Sequence, residues 1–197
     1  MPPPKVHDAR LRKTLVEQTS RLVAERGADQ VSVRLVAKAA NTSTSAVYAL
    51  FGGRDGLLAA VIEEAGARFA AHLAAVQPTD DPLDDLLQLG VAYRSSALDD
   101  PHFYRVMFDS GPARLGDPDE EGTFTLLRTA AQRCIDAGLC AGTDAQQMAS
   151  TLWAFVHGLV QLELAGYLGE DAAGDADQRR AAYQRALLDI WLGLARR

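Results

Sequence analysis

The side chains in this sequence that are capable of covalent or acid–base chemistry do not gather into a constellation that would perform it. The four histidines, His7, His72, His102 and His157, are scattered, and none has a second metal-type ligand at a usual spacing. No GxSxG, HExxH, Walker A or GxGxxG segment is present. The acidic pairs Asp80-Asp81, Asp84-Asp85 and Asp99-Asp100 fall at expected helix starts or ends, where carboxylates serve as caps. Glu120 and Glu121 read as a solvated first turn. Cys134 and Cys140 offer no CxxC and no disulfide framework, so a reducing, cytoplasmic setting is expected. The sequence therefore predicts no enzyme, no metal and no cofactor.

The remaining chemistry is of two kinds. The first is hydrogen bonding to anions. Arg34 and Arg54 each stand in the first turn of an expected helix, where an exposed cation opposes the helix dipole by about 0.3–1 kcal/mol. A phosphate arriving at the same helix end reverses that sign. Thr44 and Ser45 open another helix with hydroxyls able to donate to phosphate or base edges, and Tyr48 is an aromatic with a polar tip in the same short helix. The second kind is enclosure of an apolar molecule. Phe69, Tyr93, Phe103, Met107, Phe124 and Trp153 suit an apolar pocket, with His157 and Gln161, one turn apart, as its few polar groups. Each of these residues also suits an ordinary core.

The elements that position these groups are all helical. Ala, Leu, Arg, Glu and Gln dominate, β-branched residues are sparse, and no run alternates apolar and polar for long. Nine helices are expected. The first runs from His7 to Arg26 and stops at Gly27. Ser32 caps a second ending near Ala40, Ser43 caps a third ending near Phe51, and Gly52-Gly53 breaks the chain. The fourth starts near Arg54; Asp81-Pro82, Asp100-Pro101 and Asp117-Pro118 open the fifth, sixth and seventh. The seventh stops at Gly138. Thr143 with Gln146 is expected to box the eighth, and the ninth carries Tyr183, Leu187, Ile190, Trp191 and Leu194 at helical spacing. Ser110 to Glu121 and Gly169 to Asp177 read as loops. No apolar run approaches membrane-spanning length, and the Pro-rich start lacks the apolar stretch of a secretory signal.

The segment Val31 to Phe51 has the lengths of a helix-turn-helix. Two such short helices are marginal alone and need a shared core, for which Val33, Val36, Ala37, Val47 and Phe51 are the candidates. Asn41 stands where the chain must turn. Charge is divided to match: residues 1–56 hold nine Lys/Arg against five Asp/Glu, a balance of +4, and residues 57–197 hold eleven against twenty-one, a balance of −10. A basic head on an acidic body suits phosphate contact at one end. The expected domains are 1–53, a helix-turn-helix DNA-binding domain, and 54–197, a ligand-sensing and dimerisation domain.

Gly27, Val31-Ser32-Val33-Arg34, Val36-Ala37, Ala40, Ala46-Val47-Tyr48, Phe51 and Leu57 together resemble the TetR/AcrR family of regulators. Strict likeness covers about fifty residues. Asn41 departs from the family's usual Gly and Arg54 from its usual Lys. The resemblance implies an all-α fold, with a three-helix N-terminal domain and a C-terminal helical ligand-binding and dimerisation domain. It places the Tyr48 hydroxyl on a DNA phosphate and Arg34, Thr44, Ser45 and Ala49 or Leu50 near the groove. The third helix has no Asn, Gln, Lys or Arg, which disfavours bidentate base readout and leaves thymine methyl contacts, Arg34 and DNA shape.

Trp153, His157 and Gly158 resemble the Trp-His-Gly signature of one C-terminal class. The eighth helix, apolar on nearly every side, and the amphipathic ninth imply a homodimer through Phe155, Leu159, Leu162, Tyr183, Leu187 and Trp191. The expected function is a ligand-responsive repressor, released from a palindromic double-stranded DNA operator by a small apolar or aromatic effector, with no membrane partner. The alternative is an all-helical module that binds a small molecule or protein partner without specific DNA binding.

Overall fold

A computed structural model of the chain describes residues 5–109, 122–140, 144–168 and 175–195. Among these, all regular structure is helical: α1 Lys5–Arg26, α2 Val33–Ala39, α3 Thr44–Phe51, α4 Arg54–Ala74, α5 Pro82–Asp99, α6 Pro101–Asp109, α7 Thr123–Asp136, α8 Ala145–Leu164 and α9 Ala176–Ala195, with one 3-10 turn at Ala28–Gln30. The expected loop Ser110 to Glu121, the Asp117-Pro118 start and most of the Gly169 to Asp177 loop lie outside the described residues. No single described helix is long and apolar enough to cross a membrane.

The chain divides into two compact units. The first holds described residues 5–68 and 100–109; the second holds 69–99, 122–140, 144–168 and 175–195. Among the described residues the chain changes unit twice in continuous sequence, once within α4 and once where α5 gives way to α6.

In the first unit the caps are those the sequence predicts. The Ser32 hydroxyl accepts from the Leu35 amide and the Ser43 hydroxyl from the Ala46 amide, each at 3.2 Å. Between α2 and α3 the chain turns on Asn41, whose φ of 50° is the one positive value among described non-glycine residues. Asn tolerates this left-handed backbone better than most residues. The turn closes when the Thr42 amide reaches the Ala37 carbonyl at 2.9 Å. Leu15, Val36, Val47, Leu57 and Val61 form the centre of the core, each 1% exposed or less. Thr19 is buried with them because its hydroxyl donates back to the Leu15 carbonyl at 2.6 Å. α6 completes the unit, burying Phe103, Tyr104, Val106 and Met107 as it packs on α1.

In the second unit α5, α7, α8 and α9 pack together, α5 touching each of the other three. α5 starts as expected: Asp81 Oδ1 accepts from the Leu83 and Asp84 amides at 3.1 and 3.0 Å. Asp85 does more than favour the dipole. It is buried, and its carboxylate receives the Thr79 amide and hydroxyl and the Arg133 guanidinium, tying the chain before α5 to α7. The cap of α8 is Asp144, whose Oδ1 accepts from the Gln147 amide at 2.7 Å; the Thr143 of the expected box lies outside the described residues. One expectation is corrected here. Tyr183, Leu187 and Trp191 are not an exposed face awaiting a partner. They are buried within the chain, because the stripe they form faces α5. Tyr183 donates to the Gly90 carbonyl at 2.9 Å, and Leu187 lies so close to Gly90 that a Cβ there would come within 2.8 Å of its Cδ1.

Candidate nucleic-acid interface and ligand site

The two short helices of the first unit spend their apolar sides on the core and leave a polar row outside. Val36 and Ala37 of α2 and Val47 of α3 are buried; Arg34, Thr44, Ser45, Tyr48 and Ala49 are exposed and Leu50 is half-buried. Tyr48 is 58% exposed, so a core role is excluded. Its ring lies beside Gly53, where an added Cβ would meet Cε1 at 3.4 Å. This sets the Tyr48 side chain next to the chain entering α4, whose amino end carries the positive pole of a 21-residue helix. Phe51 is only half-buried, with the Arg12 guanidinium 5.1 Å above its ring.

Arg54 has a partner set that its position in the sequence did not reveal. Nε donates to the Val31 carbonyl at 2.8 Å and Nη2 to the Ala28 carbonyl at 2.6 Å, while Nη1 reaches Asp55 at 3.4 Å. The side chain therefore fastens the start of α4 to the link between α1 and α2. Gly56, which sequence reasoning passed over, allows the elbow beside it. α3 and α4 meet at a 63° bend, and a Cβ on Gly56 would lie 1.9 Å from the Phe51 carbonyl oxygen. The available signal was a glycine in the first turn of an otherwise good helix, where it carries a propensity cost.

The aromatic candidates divide between the units. Phe103 and Met107 belong to the first, where Phe103 lies under the Arg68 guanidinium with Cζ 4.2 Å from the ring centre. The rest assemble in the second. The Tyr93 hydroxyl and His157 Nδ1 are 2.8 Å apart across α5 and α8. Phe69 meets Tyr93 edge-on at 5.2 Å between ring centres, and Trp153 lies 6.3 Å from the His157 ring and 6.1 Å from Phe124. Gln161 is half-buried one turn beyond His157. One polar pair inside a set of rings can orient a largely apolar molecule through a single hydrogen bond.

Beside these residues a buried ion pair fixes the same helices. Arg94 Nε and Nη2 donate to Glu163 Oε2 and Oε1 at 2.7 and 2.5 Å, with both side chains about one-tenth exposed, and Tyr183 of α9 lies 5.5 Å below the guanidinium. The cysteines take no part in chemistry here. Burial, aided by nearby Cys140, pushes the Cys134 thiol up to about 11, and burial also raises Cys140, so both stay protonated and poorly nucleophilic.

A helix-turn-helix with an outward polar row, carried on the same chain as a helical unit enclosing a polar pair, is the architecture of a one-component regulator. The comparisons with known proteins agree. Residues 15–61 match the family model described as bacterial regulatory proteins, tetR family, and residues 86–189 match that described as tetracyclin repressor-like, C-terminal domain. No curated protein matches the chain. Among solved structures, a protein of unknown function from Rhodococcus sp. RHA1 is 25% identical, with 94% of this chain and 95% of that one covered at a TM-score of 0.73. The TetR family regulator PfmR from Thermus thermophilus is 19% identical, with 89% and 97% covered at 0.71. A TetR family regulator from Marinobacter aquaeolei is 21% identical, with 94% and 97% covered at 0.73. The last two likenesses concern the fold alone. The chain belongs to the TetR family of bacterial regulatory proteins. It is accordingly a ligand-responsive DNA-binding transcriptional regulator and not an enzyme.

Proposed function

We propose that the protein is a cytoplasmic repressor that binds a palindromic operator as a homodimer and is released from it by a small apolar or aromatic molecule. Residues 1–53 serve as the DNA-binding domain and residues 54–197 sense the ligand and dimerise. The observation that carries the DNA reading is the row Arg34, Thr44, Ser45, Tyr48 and Ala49, exposed along α2 and α3 while the opposite sides of those helices build the core. Tyr48 contacts phosphate. Arg34 reaches base edges, and Ala49 with Leu50 meets thymine methyls. Arg54 acts mainly by holding the start of α4, so its effect on DNA is indirect.

The ligand reading rests on the Tyr93–His157 bond among Phe69, Phe124 and Trp153, with Gln161 beyond it. The effector presents one oxygen or nitrogen to this pair and an aromatic-sized body to the rings. The Trp153-His157-Gly158 likeness fits the same use of α8. By linkage, an effector that releases operator must bind the DNA-bound protein more weakly by the same factor.

The test has two arms. Selection from a random duplex library should return a palindrome. Calorimetry with hits from a set of phenolic and aryl-ketone compounds should then give weaker binding in the presence of that duplex, and a Tyr93→Phe variant should lose ligand affinity while keeping DNA affinity. No enriched palindrome sinks the operator reading; equal ligand affinity with and without duplex sinks the coupling.

A further inference from the structure

The chain passes from the first unit to the second at Arg68, near the middle of α4, and passes back at Asp100, at the start of α6. These two residues hold each other. Arg68 Nη1 donates to Asp100 Oδ1 at 3.0 Å and Oδ2 at 3.1 Å. Nε donates to Glu64 Oε1 at 2.8 Å, one turn back along α4, and Nη2 lies 3.9 Å from Glu17 Oε1 on α1. The guanidinium is stacked on the ring of Phe103 in α6. One side chain, 26% exposed, thus joins α1, α4 and α6.

Three carboxylates face this single cation. Its planar fork can serve several of them at once, which a lysine could not do. Without it, Glu17, Glu64 and Asp100 would repel one another, and the start of α6 would lose its polar tie to α4. α6 packs on α1, and α1 in turn packs on both α2 and α3. A displacement of α6 must therefore be absorbed by α1 or passed to the helices that carry Arg34, Thr44, Ser45 and Tyr48, because a close-packed core does not deform continuously.

We propose that Arg68 is a positioning residue for DNA binding: it latches the start of α6 to α4 and α1, so that α6 moves with the helix-turn-helix and the Arg68–Asp100 junction sets the orientation of α3. This rests on the DNA-binding reading above. It adds that α6 belongs mechanically to the head and names the side chain that makes it so.

The test uses full-length Arg68→Gln and Asp100→Asn, the second leaving Arg68 its bond to Glu64. Amide hydrogen exchange should quicken in α6 and in α1 of both variants, with α8 and α9 unchanged. Affinity for the duplex that the parent protein selects should fall by about twofold to thirtyfold, the range typical of residues that modulate coupling without touching a ligand. The active fraction and the salt dependence should stay parental, because every phosphate-facing side chain remains. A merely stabilising ion pair would instead quicken exchange throughout the chain and leave affinity per active molecule unchanged, and that result overturns the proposal. So does unchanged exchange in α6, or parental affinity despite faster exchange there. If the parent selects no duplex at all, the DNA-binding reading has failed, and the exchange pattern alone then decides the latch.

Discussion

Arg54 donates to the carbonyls of Val31 and Ala28 at 2.8 and 2.6 Å, so removing its side chain strands two acceptors at the base of the head. Hydrogen bonds from a charged donor contribute about 1.5–3 kcal/mol when well shielded. This side chain is 35% exposed, and solvent screening reduces the figure to about 1–2 kcal/mol. Arg54→Ala should lower the unfolding free energy by that amount, read as a lower urea midpoint at unchanged slope, whereas Tyr48→Phe, altering an exposed hydroxyl, should leave the midpoint in place and weaken DNA binding alike for all sequences. Equal midpoints for both variants would refute the assignment of Arg54 as a fastener. Asp85 makes a second, pH-dependent case. Burial alone would raise its carboxyl, but the Thr79 amide and hydroxyl and the Arg133 guanidinium outweigh it and hold the group below its ordinary 3.8. A depressed folded value means the contribution to stability is complete above the unfolded value and is lost as pH falls through the folded one. Acid titration followed by circular dichroism should therefore show Asp85→Asn losing stability at neutral pH and flattening the parent's decline below about 3.8. The types of these residues were legible in the sequence; their partners were not. Asp85 and Arg133, Tyr93 and His157, or Arg94 and Glu163 lie 48, 64 and 69 residues apart, and only tertiary packing brings them together.

At the scale of elements, local chemistry carried most of the information. Ser32, Ser43, Asp81 and Asn41 each place a boundary or turn through bonds to residues no more than a few positions away, which is why the sequence locates them. Asp144, which caps α8, carries the same kind of local signal one position past the expected Thr143. α9 shows a different limit: a 3.6-residue period marks Tyr183, Leu187 and Trp191 as one stripe, but it cannot say whether the chain's own α5 or a second copy covers that stripe. The elbow between α3 and α4 lets the two kinds of effect be weighed against each other. Helix propensity alone predicts that Gly56→Ala gains about 0.8–1 kcal/mol. The added Cβ would meet the Phe51 carbonyl oxygen at 1.9 Å, a backbone atom that cannot rotate away. Overpacking of this kind costs about 1–3 kcal/mol and should prevail. Gly56→Ala is therefore expected to lower the melting temperature and weaken DNA binding by tilting α3 against α4. A raised melting temperature would show that the elbow opens freely.

For the whole molecule, the burial of Trp191 within one chain moves the question of assembly to the opposite side of α9. Leu188 and Leu192 are 40% and 48% exposed there, and Leu162 of α8 is 44% exposed. Phe155 and Leu159 are half-buried, so a single chain buries only one stripe of α8, through Met148, Leu152, Val156 and Val160. A helix that is apolar nearly all round is normally covered on more than one side, and in the dimer proposed above a second copy related by a two-fold axis would supply the cover with the same residues from both chains. Two heads could then reach successive major grooves, roughly 34–36 Å apart. Adjacent residues of α9 give a sharp test. Leu187 faces inward at 5% exposure, and Leu187→Ala should cost about 2–5 kcal/mol of stability as a cavity in the core. Leu188→Glu and Leu192→Glu should leave the fold of the single chain intact and place like charges opposite each other in the dimer. Light scattering at micromolar concentration should find the parent near twice 21.2 kDa and the double Glu variant near 21.2 kDa, with palindrome affinity lost in the variant and weak half-site binding retained. A double Glu variant that still scatters as a dimer would place the interface elsewhere on the molecule, and a parent that scatters as a single chain would remove the dimer.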